Sequence, residues 1–390
     1  MKYRVPGLRL SGTSFLLHAA YVPAVRFTAE RCDDVALLMT EAGEGGRFLA
    51  TPEEIREIGR ILDGEGAGVH VHLPTDGDCE TAPGRRAFFD RVRRAIDRAA
   101  PLAPHSFVLH ADFPSLRGTG RGPSKEQARA SAELLRDVAA CLPAPEMLAV
   151  ENLEGFSPAF WDCWLDGAPF SRCLDIGHIW KDGGDPAPVL GAWLPRVCVI
   201  HLHGLRPRHG APHPFPMETD TAQGTGGGSA SNAPAQSAGG EASAEKEKKI
   251  FKDAEIPGQS PEAQNQAKTA GTLRNAAPGD CGPATRFRDG DIMHAGMFPS
   301  GNNESPTDAS NVFPSPETAL LRHFGPQPRD HASLRLMPAP LIDAVLHPLW
   351  RQGFAGALNL EVFTWEDFAA SHAVMMASYA RYAASGAAPV

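Results

Sequence analysis

The sequence predicts a (β/α)8 TIM barrel, and three observations predict it. Eight short apolar runs recur along the chain, most of them separated by stretches with helical periodicity. When one low-complexity stretch is set aside, the remaining length is close to the ~250 residues of a single barrel. From the third run onward, the apolar runs end in ionisable residues, which a barrel would gather at one rim. An open doubly wound sheet is the other arrangement of the same elements.

The first strand is expected within residues 8–17 and the second within 34–42. Thr51-Pro52-Glu53-Glu54 then supplies an N-cap threonine, a proline at the first helical position and a capping-box glutamate. Ile55, Ile58, Ile61 and Leu62 follow at helical spacing. Strand three is expected at 69–74, a basic amphipathic helix at 84–100, strand four at 105–112 and a helix at 124–140. Strands five, six and seven are placed at 147–154, 171–179 and 196–204. Strand eight occupies 356–363, and a closing helix runs over 365–383.

Between strands seven and eight the composition changes. Residues 206–328 are rich in Gly, Ala, Ser, Pro and Asn and contain no tryptophan or tyrosine. Such a stretch buries too little apolar surface to offset ordering entropy, so it is expected to be a largely disordered insertion. A small folded patch is conceivable at 317–325. The domain reading is therefore barrel over 1–205, insertion over 206–328, and barrel again over 329–390.

A net charge of -9 argues against duplex nucleic acid as a partner, because phosphate binding leaves a basic footprint. No apolar run reaches the ~18 residues of a membrane span, so no membrane partner is expected. Seven cysteines without a CxxC pair, and an N-terminus unlike a signal peptide, fit reduced thiols in a cytoplasmic protein.

The strand ends carry the chemistry. Strand three ends with His70 and His72, strand four with His110 and Asp112, and strand five with Glu151 and Asn152. Strand six brings Asp175 and His178, strand seven His201 and His203, and strand eight Glu361. Asp330 and His331 follow the insertion. Buried groups of this kind are costly unless paired. In "LDIGHIW" (174–180), cations would neutralise Asp175 and take the imidazole nitrogen of His178. Gly177 either admits a close backbone approach or makes a strand-end turn. Imidazole and carboxylate donors without cysteine suit zinc, and also manganese, iron or cobalt. Eight or nine ligands exceed the demand of one ion. Two or three divalent ions sharing Glu151 or Glu361 would use them all, and such a centre suits phosphoester hydrolysis. A sugar isomerase or epimerase with a single divalent ion would need only Glu151, Asp175, His201 and Glu361. Beside the ligand motifs, Trp180, Lys181 and Trp365 are further candidates to line the site.

The segments "AVENLEG", "LDIGHIW", "VIHLHG", "DHASL" and "LNLEVF" resemble the xylose-isomerase-like, AP-endonuclease-type barrel superfamily. Within it, "GTSFLLHAAYVPAVRF", "DDVALLMTEA" and "VHVHLPTD" are similar to the cobamide-remodelling phosphodiesterases of the CbiR type. The resemblance covers about 8–205 and 329–375. It implies hydrolysis of the phosphodiester in the nucleotide loop of an adenosylcobamide such as coenzyme B12. The implied products are adenosylcobinamide phosphate and an α-riboside of the lower base. It also implies metal-site roles for His72, His110, Glu151, Asp175, His178, His201, His331 and Glu361, with Asp330 as a ninth candidate. Glu151, Asp175, His178 and Glu361 would take the catalytic roles. Asp330 adjoins His331, whereas the related endonuclease pattern separates its Asp and His by one residue. An endonuclease IV-like activity on abasic DNA is a further alternative, opposed by the acidic charge.

Overall fold

The eight apolar runs close on themselves. In the computed structural model, which describes residues 2–39, 49–75, 77–165, 167–207 and 328–386, seven strands come first: β1 (Arg9–Thr13), β2 (Asp34–Leu38), β3 (Gly68–His72), β4 (Phe107–His110), β5 (Leu148–Glu151), β6 (Ser171–Asp175) and β7 (Val197–Leu202). Two short strands, β8 (Gly204–Arg206) and β9 (Arg329–Ala332), form a separate antiparallel pair, and β10 (Ala357–Leu360) completes the barrel. The barrel order is β1-β10-β7-β6-β5-β4-β3-β2, with β1 parallel to both β2 and β10. Closure excludes the open doubly wound sheet.

The described residues belong to a unit spanning Met1–Met217 and Ala309–Val390. A second unit, Glu218–Asp308, lies outside them, as do the expected patch at 317–325 and nearly all of the expected insertion. No helix among the described residues is long and apolar enough to cross a membrane.

The helices are α1 (Tyr21–Ala29), α2 (Pro52–Glu65), α3 (Ala82–Ala99), α4 (Lys125–Ala139), α5 (Pro158–Leu165), α6 (Ile176–Lys181), α7 (Pro186–Trp193), α8 (Ala339–Arg351) and α9 (Trp365–Ala384). The capping box of α2 forms as its sequence requires. Glu54 N–H donates to Thr51 Oγ1 at 3.2 Å, and Thr51 N–H to Glu54 Oε2 at 2.7 Å. Such a cap contributes about 1 kcal/mol. Ile55, Ile58, Ile61 and Leu62 are the buried face.

One expected element is corrected. Strand six stops at Asp175 instead of running to residue 179, and Ile176–Lys181 form α6. The Asp175 carboxylate accepts the His178 N–H at 2.7 Å, which caps the new helix and turns the chain out of the barrel wall. Ile176, Ile179 and Trp180 are all buried, so the apolar run reads equally well as strand or short helix.

Alternation along the strands layers the interior. Val108, Ala149, Cys173 and Val199 form a small apolar cluster. Each precedes by two residues a polar residue on the same face: His110, Glu151, Asp175 and His201. On the far side, a polar floor surrounds Asp34. Its carboxylate accepts from Arg9 Nη2 at 2.7 Å, His70 Nδ1 at 2.6 Å and His105 Nε2 at 3.1 Å. Burial pushes the Asp34 carboxyl up, but the hydrogen bonds from His105 and His70 outweigh it and hold it below the usual range. His70 is thereby engaged at the floor.

Candidate metal centre

The C-terminal strand ends converge on Glu151. Its Oε2 lies 3.3 Å from His72 Nε2 and 3.1 Å from His110 Nε2. Its Oε1 lies 3.4 Å from His201 Nδ1 and 3.7 Å from His178 Nδ1. One carboxylate thus faces ligands from β3, β4, β7 and α6. Across the mouth, Glu361 Oε2 lies 3.1 Å from His201 Nδ1 and 3.8 Å from His331 Nδ1. Asp175 Oδ2 is 3.4 Å from His178 Nδ1 and 3.9 Å from His201 Nδ1. Its other oxygen faces His203 Nε2 at 3.3 Å.

Neighbouring groups hold these side chains in place. Asn152 bonds the backbone of Asp175 twice, donating to its carbonyl and accepting its N–H, each at 2.8 Å. This locks the ends of β5 and β6 together. The Nδ1 atoms of His72, His178 and His331 donate to the carbonyls of Leu73, Asn152 and Glu361 at 3.0, 2.9 and 3.0 Å. Each ring keeps Nε2 for another partner, which is how metal-ligating imidazoles are commonly oriented.

Three groupings of donor atoms within 4.8 Å of one another result: His72, His110 and Glu151; His72, His201 and Glu361; and His178, His203 and His331. Of the nine residues that the sequence nominates, eight stand at this mouth with their donor atoms turned toward one another. The ninth, Asp330, is held by Lys181 in an ion pair. His203, which the resemblance leaves out of the metal site, stands with His178 and His331. Cys173 also comes within reach of Glu151 and His201. Burial pushes its thiol far above the ordinary range, so it remains protonated despite the nearby imidazole.

The donor set fits divalent ions. His110 Nε2, Glu151 Oε2, Asp175 Oδ2, both ring nitrogens of His201, His203 Nε2 and Glu361 Oε2 are buried and make no hydrogen bond of good geometry. Orphaned polar atoms are rare in folded proteins, and here they share one cavity mouth. A family description, "Xylose isomerase-like TIM barrel", matches residues 29–226.

The chain belongs to this xylose isomerase-like family.

Among solved structures, a D-tagatose 3-epimerase-like protein is similar over 97% of this chain and 100% of its own, with TM-score 0.53 and 12% identity. That likeness shows the fold. An L-ribulose 3-epimerase is 18% identical, with TM-score 0.40, over 50% of this chain and 69% of its own. A 3-keto-D-glucoside 4-epimerase from E. coli is 14% identical, with TM-score 0.40, over 50% of this chain and 78% of its own. No curated protein matches the chain.

In this member of the family the metal-free site is charged in a definite way. Burial alone would lower the imidazoles of His178, His201 and His203. The carboxylates outweigh it: Asp175 and Glu151 lift His178 to about 9, Glu361 and Glu151 help to raise His201, and Asp175 raises His203. Burial would raise Glu151 and Glu361, but His201 beside both holds them well below the usual carboxylate range. His331 moves the other way, lowered by burial and by His203. Imidazoles with raised pKa carry protons at pH 7, and a metal ion must displace them. Zinc loading at pH 7 is therefore expected to release protons, and apparent affinity to climb as pH rises toward about 9. Calorimetric titrations in buffers of different ionisation heat measure that release; heats independent of buffer would contradict it.

Proposed function

We propose that the protein is a metal-dependent phosphodiesterase that opens the nucleotide loop of adenosylcobamides, giving adenosylcobinamide phosphate and an α-riboside. The observation that carries this reading is the surplus of ligands: three groupings of donors at one mouth, where a single ion needs about four ligands in all. The series of motifs shared with cobamide-remodelling phosphodiesterases supports the substrate.

Two or three divalent ions, zinc above all, would supply Lewis acidity to water, to a phosphoryl oxygen and to the departing alkoxide. Glu151 spans two of the groupings through its two oxygens, and Glu361 faces both His201 and His331, so these carboxylates set the spacing of the centre. Glu361 would orient the attacking water. Asp175 fixes His178 by taking its backbone N–H. His178 and His331 would stabilise charge on the equatorial phosphoryl oxygens and the leaving ribose oxygen.

A corrinoid needs an apolar edge beside this polar mouth. Neither tryptophan named from the sequence supplies it. Trp180 is buried, and Trp365 packs with Tyr3, Phe27 and Phe368 at 5.1, 5.2 and 5.4 Å. Among the described residues, the exposed large hydrophobics are Leu17 at 38% and Phe363 at 37%. Phe363 stacks on His331 at 4.7 Å, and His18, next to Leu17, bonds the Phe363 carbonyl at 2.9 Å. The exposed apolar surface thus meets the metal centre, as a large substrate with a polar reacting bond requires.

The test is incubation of the zinc-loaded full chain with adenosylcobalamin. Chromatography is expected to show adenosylcobinamide phosphate and the α-riboside, both abolished by a chelator. If the cobamide is untouched while a ketose such as D-tagatose is epimerised, the single-ion reading through Glu151, Asp175, His201 and Glu361 replaces this one. Cleavage of abasic DNA alone would favour the endonuclease.

A further inference from the structure

We infer that His203, and not Asp330, completes the third ligand grouping with His178 and His331. The inference rests on the multi-ion reading above.

Several independent features seat the His203 ring. It is fully buried, and its Nε2 has no hydrogen-bond partner of good geometry. One side lies so close to Gly177 that a Cβ there would collide with the ring. On another side His331 packs against it, ring centroids 4.4 Å apart. The His203 Nδ1 lies 3.3 Å from the Gly204 carbonyl, the partner that takes the ring proton when Nε2 ligates. His331 itself has φ +51, in the left-handed region that a side chain of this size rarely adopts. That conformation is held by the His331 ring bond to the Glu361 carbonyl at 3.0 Å. Local strain of this kind persists only where surrounding contacts fix it, and it clusters at ligand clamps.

Asp330 is oriented elsewhere. Its carboxylate pairs with Lys181, whose ammonium also lies 3.7 Å from Glu154. An anion already matched by a cation is a poor competitor for a metal ion. The grouping of His178, His203 and His331 therefore offers three imidazole nitrogens, which a metal ion would bind by displacing their protons, with Asp175 3.3 Å from His203 and Glu154 3.5 Å from His178 as the nearest carboxylates. Three protein donors also leave a coordination position open.

The experiment is metal stoichiometry by mass spectrometry after gel filtration, on the full chain and on His203→Ala, His203→Gln and Asp330→Asn, loaded with zinc or with manganese. Circular dichroism checks folding, and the glutamine variant serves if the alanine variant does not fold. His203→Ala or His203→Gln is expected to hold one zinc ion per chain fewer than the unaltered protein, and Asp330→Asn the same number as it. Manganese loading is expected to show the same pattern, with one ion fewer in the His203 variants alone. Cobalt loading adds a second readout: the visible absorption assigned to the low-coordinate ion should vanish in the His203 variants alone. A full zinc count in folded His203 variants, or a loss confined to Asp330→Asn, overturns the inference. A single zinc ion in the unaltered chain would instead sink the multi-ion reading, so the two failures are distinguishable.

Discussion

Glu151→Gln is expected to lower turnover at least about a thousand-fold while the barrel remains folded. The amide matches the carboxylate in volume, so the small apolar layer beneath it is undisturbed. What it loses is negative charge at the point shared by the groupings. Oε2 faces His72 and His110, Oε1 faces His178 and His201, and a neutral side chain cannot serve both sides. Bound metal should therefore fall by more than one ion per chain where a peripheral ligand would cost one. Steady-state kinetics, elemental analysis and circular dichroism on the same preparation check this. Near-normal turnover with a full complement of metal would remove Glu151 from the centre and end the proposed mechanism.

Gly177→Ala has the second largest expected effect, although no chemistry resides in the residue. In a helix, glycine is worse than alanine by about 1 kcal/mol, so its presence in α6 calls for a reason. Gly177 is not among the residues with positive φ, so conformational freedom is not that reason. Space is, because the His203 ring occupies the volume that a Cβ would take. Alanine should cost about 1–3 kcal/mol by overpacking and displace the ring. Turnover is expected to drop about 10–100-fold, the usual cost of disturbing a group that orients a metal site. Thermal unfolding should show most of the penalty disappearing in a His203→Ala background, since the clash then has no partner. Additive penalties would place the fault elsewhere.

Most of the barrel could be read from the chain because its signals are local. Thr51 and Glu54 announce α2 through a cap that forms as written, and the apolar runs fall on the strands. The convergence of the strand-end residues was legible for the same reason: period-two alternation puts His72, Glu151, His201 and Glu361 on inward faces whatever the details of packing. α6 was not legible, since Ile176, Ile179 and Trp180 satisfy either periodicity and the deciding bond is a side-chain cap. His203 was undervalued because its importance depends on the height at which its ring meets Gly177, a relation between two elements that spacing does not contain. The Asp34 floor was missed because Arg9 begins a strand, His105 precedes one and His70 sits within one, whereas attention fell on strand ends. His70, two residues before a rim ligand, was the available signal.

The pairing of β8 with β9 has a consequence for how the protein can be altered. Gly204 faces Ala332 and Arg206 faces Arg329, so the chain leaves and returns through one narrow gateway beside His331. Lengthening a connection whose two ends are held together costs little, only about 0.6 kcal/mol for each doubling. Polypeptide spliced in or cut out between 207 and 328 therefore need not move the barrel wall. The same gateway is where a reporter domain or a new pair of termini could be engineered, provided that both short strands are kept.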